Sequence, residues 1–203
     1  MFQRDEQDLK KGKTEMASPE VKRISDFAQI EELYRQRMKK DFASNELRPL
    51  SSLKRSWDAG EYECFGLYQE DRLLGYAFFV KQSDNYLLDY LAIAEEYRNQ
   101  GLGSVLLEGM SIPGAECVIG EVEDPEKAKD GTDRTQRERR LQFYLRKGFR
   151  QTGVTSCVFG VNYRIIEAPT GKWHDDETIT QFYSAVYRKL LPATFYRLDF
   201  RIT

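Results

Sequence analysis

The stretch "EYRNQGLGSVLLEGM", residues 96–110, decides how this chain is to be read. Before it, "YLLDYLAIA" has the aromatic and branched character of a strand; after it, "VLLEGM" has helical spacing. Arg98, Gly101 and Gly103 stand where the strand hands over to the helix. Glycines there suit a backbone that must approach something closely. A strand ending in a glycine-rich turn that opens a helix aims several amides at one point, and the helix dipole adds positive potential. Such a turn fits a phosphate or pyrophosphate, with Arg98 adding charge and Ser104 a hydroxyl. A tight turn without a ligand is the competing reading. A Walker loop would need Lys followed by Ser or Thr after the second glycine, and none is present. A dinucleotide fingerprint would need a third glycine and an early parallel βαβ unit, whereas the preceding strands read as antiparallel.

Composition sets the frame. With 203 residues, 40% hydrophobic and 13% aromatic, one domain with a proper core is expected, together with a terminal extension. The 31 basic and 33 acidic residues nearly cancel, which argues against sequence-independent nucleic-acid binding. Cys64, Cys117 and Cys157 have no metal spacing and sit in apolar segments, so they read as small buried hydrophobes. His174 is alone, which leaves a His-based metal site or triad little support. No signal peptide or membrane-length apolar run is seen, so a soluble, cytoplasmic protein is expected, with no membrane partner.

Along the chain, residues 1–18 read as a flexible polar tail, "EVKRI" as a short strand, and Ser25 or Asp26 as the cap of a helix carrying Phe27, Ile30, Leu33, Tyr34, Met38 and Phe42. A second helix runs from Pro49 to before Gly60. "EYECFGLYQ", "RLLGYAFFVKQ" and "YLLDYLAIA" form an antiparallel meander. "ECVIGEVE" is a buried strand, "DPEKAKDGTD" a loop, and "RTQRERRLQFYLRK" a helix stopped by Gly148. "GVTSCVFGV" and "NYRIIEA" read as two further strands. In "DETITQFYSAVYRKLL", Ile179, Phe182, Tyr183, Val186 and Leu190 share a helical face. "FYRLDFRI" alternates, which predicts a strand with Tyr196, Leu198, Phe200 and Ile202 on one side. These tail elements should pack on the domain or on a partner.

With "RNQGLG" (Arg98–Gly103) and "FYLRKGF" (Phe143–Phe149) in order, the chain resembles the GNAT superfamily of acyl-CoA N-acetyltransferases. The resemblance covers "EVKRI" through "IIEA". It implies a mixed α+β fold: a mostly antiparallel sheet with a V-shaped split, flanked by helices. The expected division is a tail at 1–18, the acetyltransferase domain at 19–169, and a C-terminal helix and strand at 170–203.

The resemblance also implies acetyl-CoA as co-substrate, without a metal, and direct transfer to a primary amine in a ternary complex. Main-chain groups of Leu91, Ala92 and Ile93 would pair with the pantetheine arm. Arg98, Asn99, Gln100, Gly101, Leu102, Gly103 and Ser104 would hold the pyrophosphate. An amide near Ile93 would stabilise the oxyanion. Tyr144 matches the family's general acid; on spacing alone it is a core tyrosine beside Leu141 and Leu145. For a base, Glu121 and Glu123 point to one face of a strand, where repulsion and burial would raise one pKa. Glu121, deeper in the strand, is preferred as base, with Glu123 binding the cationic amine and Asp89 as second choice; a solvated edge is the alternative. Arg137 stands where many relatives have Asn. "RTQRERR" reads by default as a solvated face, although Arg137 or Arg140 would be able to bind cofactor phosphate, pair with Glu121 or Glu123, or select an acidic acceptor. Acidic residues Glu121, Glu123 and Asp124 lean toward a cationic acceptor. The expected partners are a small-molecule or peptide amine, with the chain a monomer or homodimer. A non-catalytic acyl-CoA sensor and a protein or peptide acetyltransferase are the rival readings.

Overall fold

The computed structural model describes residues 17–110 and 112–202. The expected tail lies almost wholly outside them. In chain order the elements are β1 (Glu20–Arg23), α1 (Phe27–Leu33), a π-helical turn (Tyr34–Met38), α2 (Lys39–Asp41) and α3 (Leu50–Asp58). Then come β2 (Tyr62–Gln69), β3 (Arg72–Gln82), β4 (Asn85–Ile93), α4 (Leu102–Gly109), β5 (Cys117–Glu123) and α5 (Gly131–Arg146). The chain continues through β6 (Arg150–Val158), β7 (Val161–Glu167), α6 (Asp176–Leu190), α7 (Ala193–Asp199) and β8 (Phe200–Ile202). This is the mixed α+β arrangement, a mostly antiparallel sheet flanked by helices, that the resemblance implies.

The strands form one sheet in the order β1-β2-β3-β4-β5-β7-β6-β8. Every pairing is antiparallel except β4 with β5. That parallel pair is short, running from Asn85↔Cys117 only to Leu88↔Gly120. Beyond it β4 leans on β3 while Glu121–Glu123 of β5 pair with β7. A bulge coincides with the parting: Phe78 faces Tyr90 and Phe79 faces Leu88, leaving Asp89 without a partner. A bulge bends its strand, so β4 turns away from β5 where the split begins.

The helices divide between the two faces. The apolar stripes of α1, α3 and α6 bury Ile30, Leu53 and Val186 on one side, whereas α4 and α5 bury Leu106 and Leu141 on the other. Asp26 caps α1 by accepting from Ala28 N–H. Asp130 caps α5, which starts three residues earlier than its arginine-rich stretch suggests. Within α6, Ile179, Tyr183 and Val186 have no exposed surface, so this helix packs on the chain's own sheet. Each such side chain contributes roughly 1.5–3 kcal/mol of burial.

Two element assignments differ from the sequence reading. "FYRLDFRI" is not one strand: Ala193–Asp199 is helical and only Phe200–Ile202 pairs, with β6. Pro192 opens that helix, its carbonyl accepting from Tyr196 N–H at 3.0 Å. Tyr196 and Phe200 lie four apart and meet at 5.0 Å, a helical spacing that a short alternation also satisfies, while Leu198 is 72% exposed. "GVTSCVFGV" does not run through as a strand either, because Phe159 and Gly160 both take positive φ and make the hairpin turn between β6 and β7. Of the cysteines, Cys64 and Cys117 are buried and Cys157 is partly exposed.

A buried carboxylate ties the segment before α6 to the sheet. Glu167, with no exposed surface, accepts from Arg150 Nε at 2.8 Å and from the backbone N–H of His174 at 3.2 Å. His174 Nδ1 lies 2.6 Å from Glu167 Oε1, and the Cys117 thiol approaches the same oxygen at 3.8 Å. Arg150 also lies over the Trp173 ring. The Cys117, Glu167 and His174 donors sit within 4.8 Å of one another, but Arg150 and His174 already occupy both carboxylate oxygens, which makes the cluster a clasp. Replacing Glu167 with Ala should cost about 2–4 kcal/mol, because Arg150 and the His174 amide lose their acceptor. Urea unfolding checks this through the shift in midpoint.

Candidate active site

The arrangement at the split begins with the loop after β4. Asn99 and Gly101 both adopt positive φ, at 62° and 78°. Gly101 opens α4, and a Cβ there would meet nothing within 4 Å, so its glycine is required by the left-handed turn and leaves open space above. Gly103 is different: its added Cβ would touch Phe143 of α5 at 3.4 Å, so it lets α4 and α5 pack. The backbone amides of Gln100, Gly101, Leu102 and Gly103 have no protein acceptor among the described residues. Ser104 N–H bonds back to Gly101 O at 2.9 Å, which removes that amide from the expected set.

Arg98 does not extend over this turn. Its Nε donates to Ile93 O at 3.0 Å and its guanidinium pairs with Asp41 at 3.2 Å. Asp41 also accepts from Tyr76 OH at 2.8 Å. Arg98 therefore fastens the turn to β4 and α2. Along β4, Ala94 N–H bonds to Leu74 O of β3, so by antiparallel alternation Ala92 also faces β3 and Leu91 and Ile93 face the gap. The expectation for Ala92 is corrected accordingly. Of the three residues, Leu91 and Ile93 have main-chain groups on the unpaired edge, and Arg98 already uses the Ile93 carbonyl.

Across the split, the candidate carboxylates have separate fates. Glu123 pairs with Arg137 at 3.1 Å and Arg140 at 2.6 Å. Arg137 is buried and also bonds Asp133 and the Asp124 carbonyl, so the solvated-face reading does not hold for it. Asp124 is buried, caps the short turn at Glu126 and accepts from Arg164. Asp89, at the bulge, accepts from Arg48 and from Tyr62 OH at 2.6 Å. Glu123, Asp89 and Arg140 are thus committed to ion pairs, and Glu123 and Asp89 do not stand as free anions for a cationic amine.

Glu121 is the exception. It has no cation in ion-pair contact among the described residues; its Oε1 accepts from Tyr187 OH at 2.7 Å and from Tyr183 OH. Desolvation pushes its carboxyl up to about 7; the two tyrosine hydroxyls pull the other way, while the Asp89 charge raises it and the Arg48 charge lowers it. Tyr144, on α5, is buried among Phe143 and Phe149 with ring centroids 5.1 and 5.2 Å away. Burial raises its phenol to about 12, so it stays protonated at neutral pH. Its hydroxyl makes no hydrogen bond among the described residues.

Sequence reasoning missed the two α6 tyrosines and the Arg48–Asp89–Tyr62 group. The available signal was a pair of hydroxyls four residues apart on an otherwise apolar helical face, since buried tyrosines usually need a hydrogen-bond partner. The loop carrying Arg48 is anchored to both arms of the split. Tyr90 OH on β4 accepts from Arg48 N–H at 2.9 Å, and Tyr163 OH on β7 donates to Glu46 at 3.4 Å.

Comparison with known proteins agrees with this geometry. Residues 60–151 match the family model described as an acetyltransferase (GNAT) domain. Over that segment the chain is similar to GNAT acetyltransferase domains, and acyl transfer is the activity class that such a domain supports. A protein of Bacteroides thetaiotaomicron assigned to the GNAT family superposes with a TM-score of 0.62 at 20% identity, over 86% of this chain and 97% of its own. The ribosomal-protein-S18-alanine N-acetyltransferase of Escherichia coli gives 0.56 at 15%, over 78% and 98%. An aminoglycoside 6'-N-acetyltransferase complexed with coenzyme A gives 0.53 at 12%, over 76% and 99%. At these identities the likeness establishes the fold. No curated protein sequence matches the chain. No helix among the described residues is long and apolar enough to cross a membrane.

The raised carboxyl carries a stability consequence. An acid whose pKa rises on folding binds its proton more tightly in the native state, so its destabilising effect grows as pH climbs from about 4.5 through about 7. Glu121→Gln should therefore stabilise the protein by about 1–3 kcal/mol above pH 7 and by little below pH 5. Thermal melts of both proteins at pH 5 and pH 8 measure the difference.

Proposed function

We propose that the protein is an acetyl-CoA-dependent N-acetyltransferase acting by direct transfer to a primary amine. The observation that carries this reading is the run of amides at Gln100–Gly103 that have no acceptor among the described residues, under open space at Gly101 and next to the unpaired edge of β4. Amides without acceptors at a helix start suit the oxygens of a diphosphate, and a free strand edge suits the amide-bearing pantetheine arm. Acetyl-CoA supplies a thioester whose carbonyl is open to attack by an amine.

The chain's own groups supply the remaining parts. Leu91 and Ile93 offer main-chain groups to the arm, and the Ile93 N–H is the donor suited to an oxyanion. Glu121, its carboxyl pushed up to about 7, is the base that takes a proton from the acceptor ammonium, directly or through water, so that the neutral amine attacks the thioester. Tyr144, protonated at neutral pH, is the acid for the departing thiolate. A neutral or cationic small amine fits best. The Arg48 loop is pinned from Tyr90 to Tyr163, which favours an enclosed acceptor pocket over an open peptide groove.

Calorimetry with CoA and a CoA-release screen over amine libraries test the reading. Micromolar-range CoA binding with release for at least one amine class is expected. Gly101→Ala should weaken CoA on the order of tenfold through strain in the left-handed turn. Tyr144→Phe should lower kcat by about 10²–10⁴ with CoA affinity retained. Absence of CoA binding overturns the proposal, and binding without release for any amine moves the assignment to an acyl-CoA sensor.

A further inference from the structure

The family model ends at residue 151, so α6 lies outside the segment it matches. Nevertheless α6 delivers two side chains to the same oxygen of Glu121. Tyr183 and Tyr187 are one helical turn apart, both are buried, and both hydroxyls donate to Oε1. Because the proton of Tyr183 goes to Glu121, the 2.9 Å contact between Tyr183 OH and Ser156 Oγ has Ser156 as donor. Ser156 is buried on β6 and thereby orients the first tyrosine. Tyr187 is held from its other side by the Phe200 ring of β8, stacked at 4.5 Å and 17°. Thus β6, α6 and β8 converge on one carboxylate oxygen.

The second oxygen is treated differently. No hydrogen bond ends on Oε2 among the described residues, Glu121 keeps some surface, and Oε2 is not one of the enclosed polar atoms left without a partner. A carboxylate clamped through one oxygen and open at the other has a fixed orientation and one reactive position.

We propose that the C-terminal helix completes the catalytic site, with Tyr183 and Tyr187 as positioning residues that hold Glu121 through Oε1 and leave Oε2 to take the acceptor's proton. This rests on the reading of Glu121 as the base. The groups facing Glu121 are Tyr183 and Tyr187 from α6, Asp89 from β4, Arg48 from the loop before α3 and Tyr163 from β7, with Glu123 further along its own strand. Among these, only the two α6 hydroxyls hydrogen-bond the carboxyl, so they stabilise its charged form directly.

The test is a pH titration of the Glu121 carboxyl carbon by NMR in the full-length protein labelled with ¹³C-glutamate, the signal being assigned by its loss in Glu121→Gln. The wild-type midpoint is expected near 7. Removing one donor from a carboxylate favours its neutral form, so Tyr187→Phe should raise the midpoint by roughly one pH unit, with Tyr183→Phe doing the same. Val186→Ala, on the same helix without a contact to the carboxyl, should leave it in place. Tyr187→Phe retains the ring that stacks on Phe200, so it keeps the test available if Tyr183→Phe does not fold. Folded tyrosine variants whose Glu121 midpoint stays within a few tenths of wild type would overturn the proposal. The titration needs no acceptor, and whether Glu121 is the base is decided separately by acetyl transfer in Glu121→Gln. A clamp found on a carboxylate dispensable for transfer would thus count against the base assignment and not against the tyrosine contact.

Discussion

The parallel contact between β4 and β5 runs from Asn85 to Leu88 and stops, and most of the site follows from that interruption. Paired further, the two strands would consume the backbone groups of Leu91 and Ile93 in the ladder. They part where Asp89 sits in a bulge, and each arm finds another neighbour, β3 for β4 and β7 for β5. Among the described residues, the inner edges of the two arms stay unpaired beyond Leu88 and Gly120. A sheet normally covers or pairs an open edge, so an edge kept free within the molecule is a place where something else can add.

Parting the strands brings charge into a confined region, and the chain neutralises nearly all of it. Asp89 has Arg48, and Glu123 has Arg137 and Arg140. Glu121 receives phenols instead of a cation. Hydroxyl donors steady a carboxylate without fixing its charge as strongly as an arginine would, so desolvation pushes the Glu121 carboxyl up to about 7. The turn at Asn99–Gly101 completes the complementary half, with left-handed backbone at two positions and amides from Gln100 to Gly103 that have no acceptor among the described residues.

Much of the frame was legible along the chain. The meander of β2, β3 and β4 follows from aromatic and branched runs separated by short turns, and the tight turn opening α4 follows from the spacing of Gly101 and Gly103. The failures come from local cues, periodicity read over too few residues in one case and charge read from neighbours in the other. "FYRLDFRI" satisfies both a two-residue and a four-residue repeat, and Pro192 decides between them by opening a helix. Arg137 looked solvated because its neighbours are charged, yet Asp133, Asp124 and Glu123 give it enough partners to be buried.

By itself the sequence determined which backbone conformations are available: a glycine at the left-handed start of α4, strands along the aromatic and branched runs, an apolar face on the longer helices. Those are local properties, carried by residues a few positions apart. Tertiary structure alone decided which charges meet. Glu121 and Tyr187 are 66 positions apart, Asp89 and Arg48 are 41, and no local pattern specifies such partners. Burial then converts those meetings into chemistry, since a carboxyl deprived of water responds to the few polar groups that chain topology places against it.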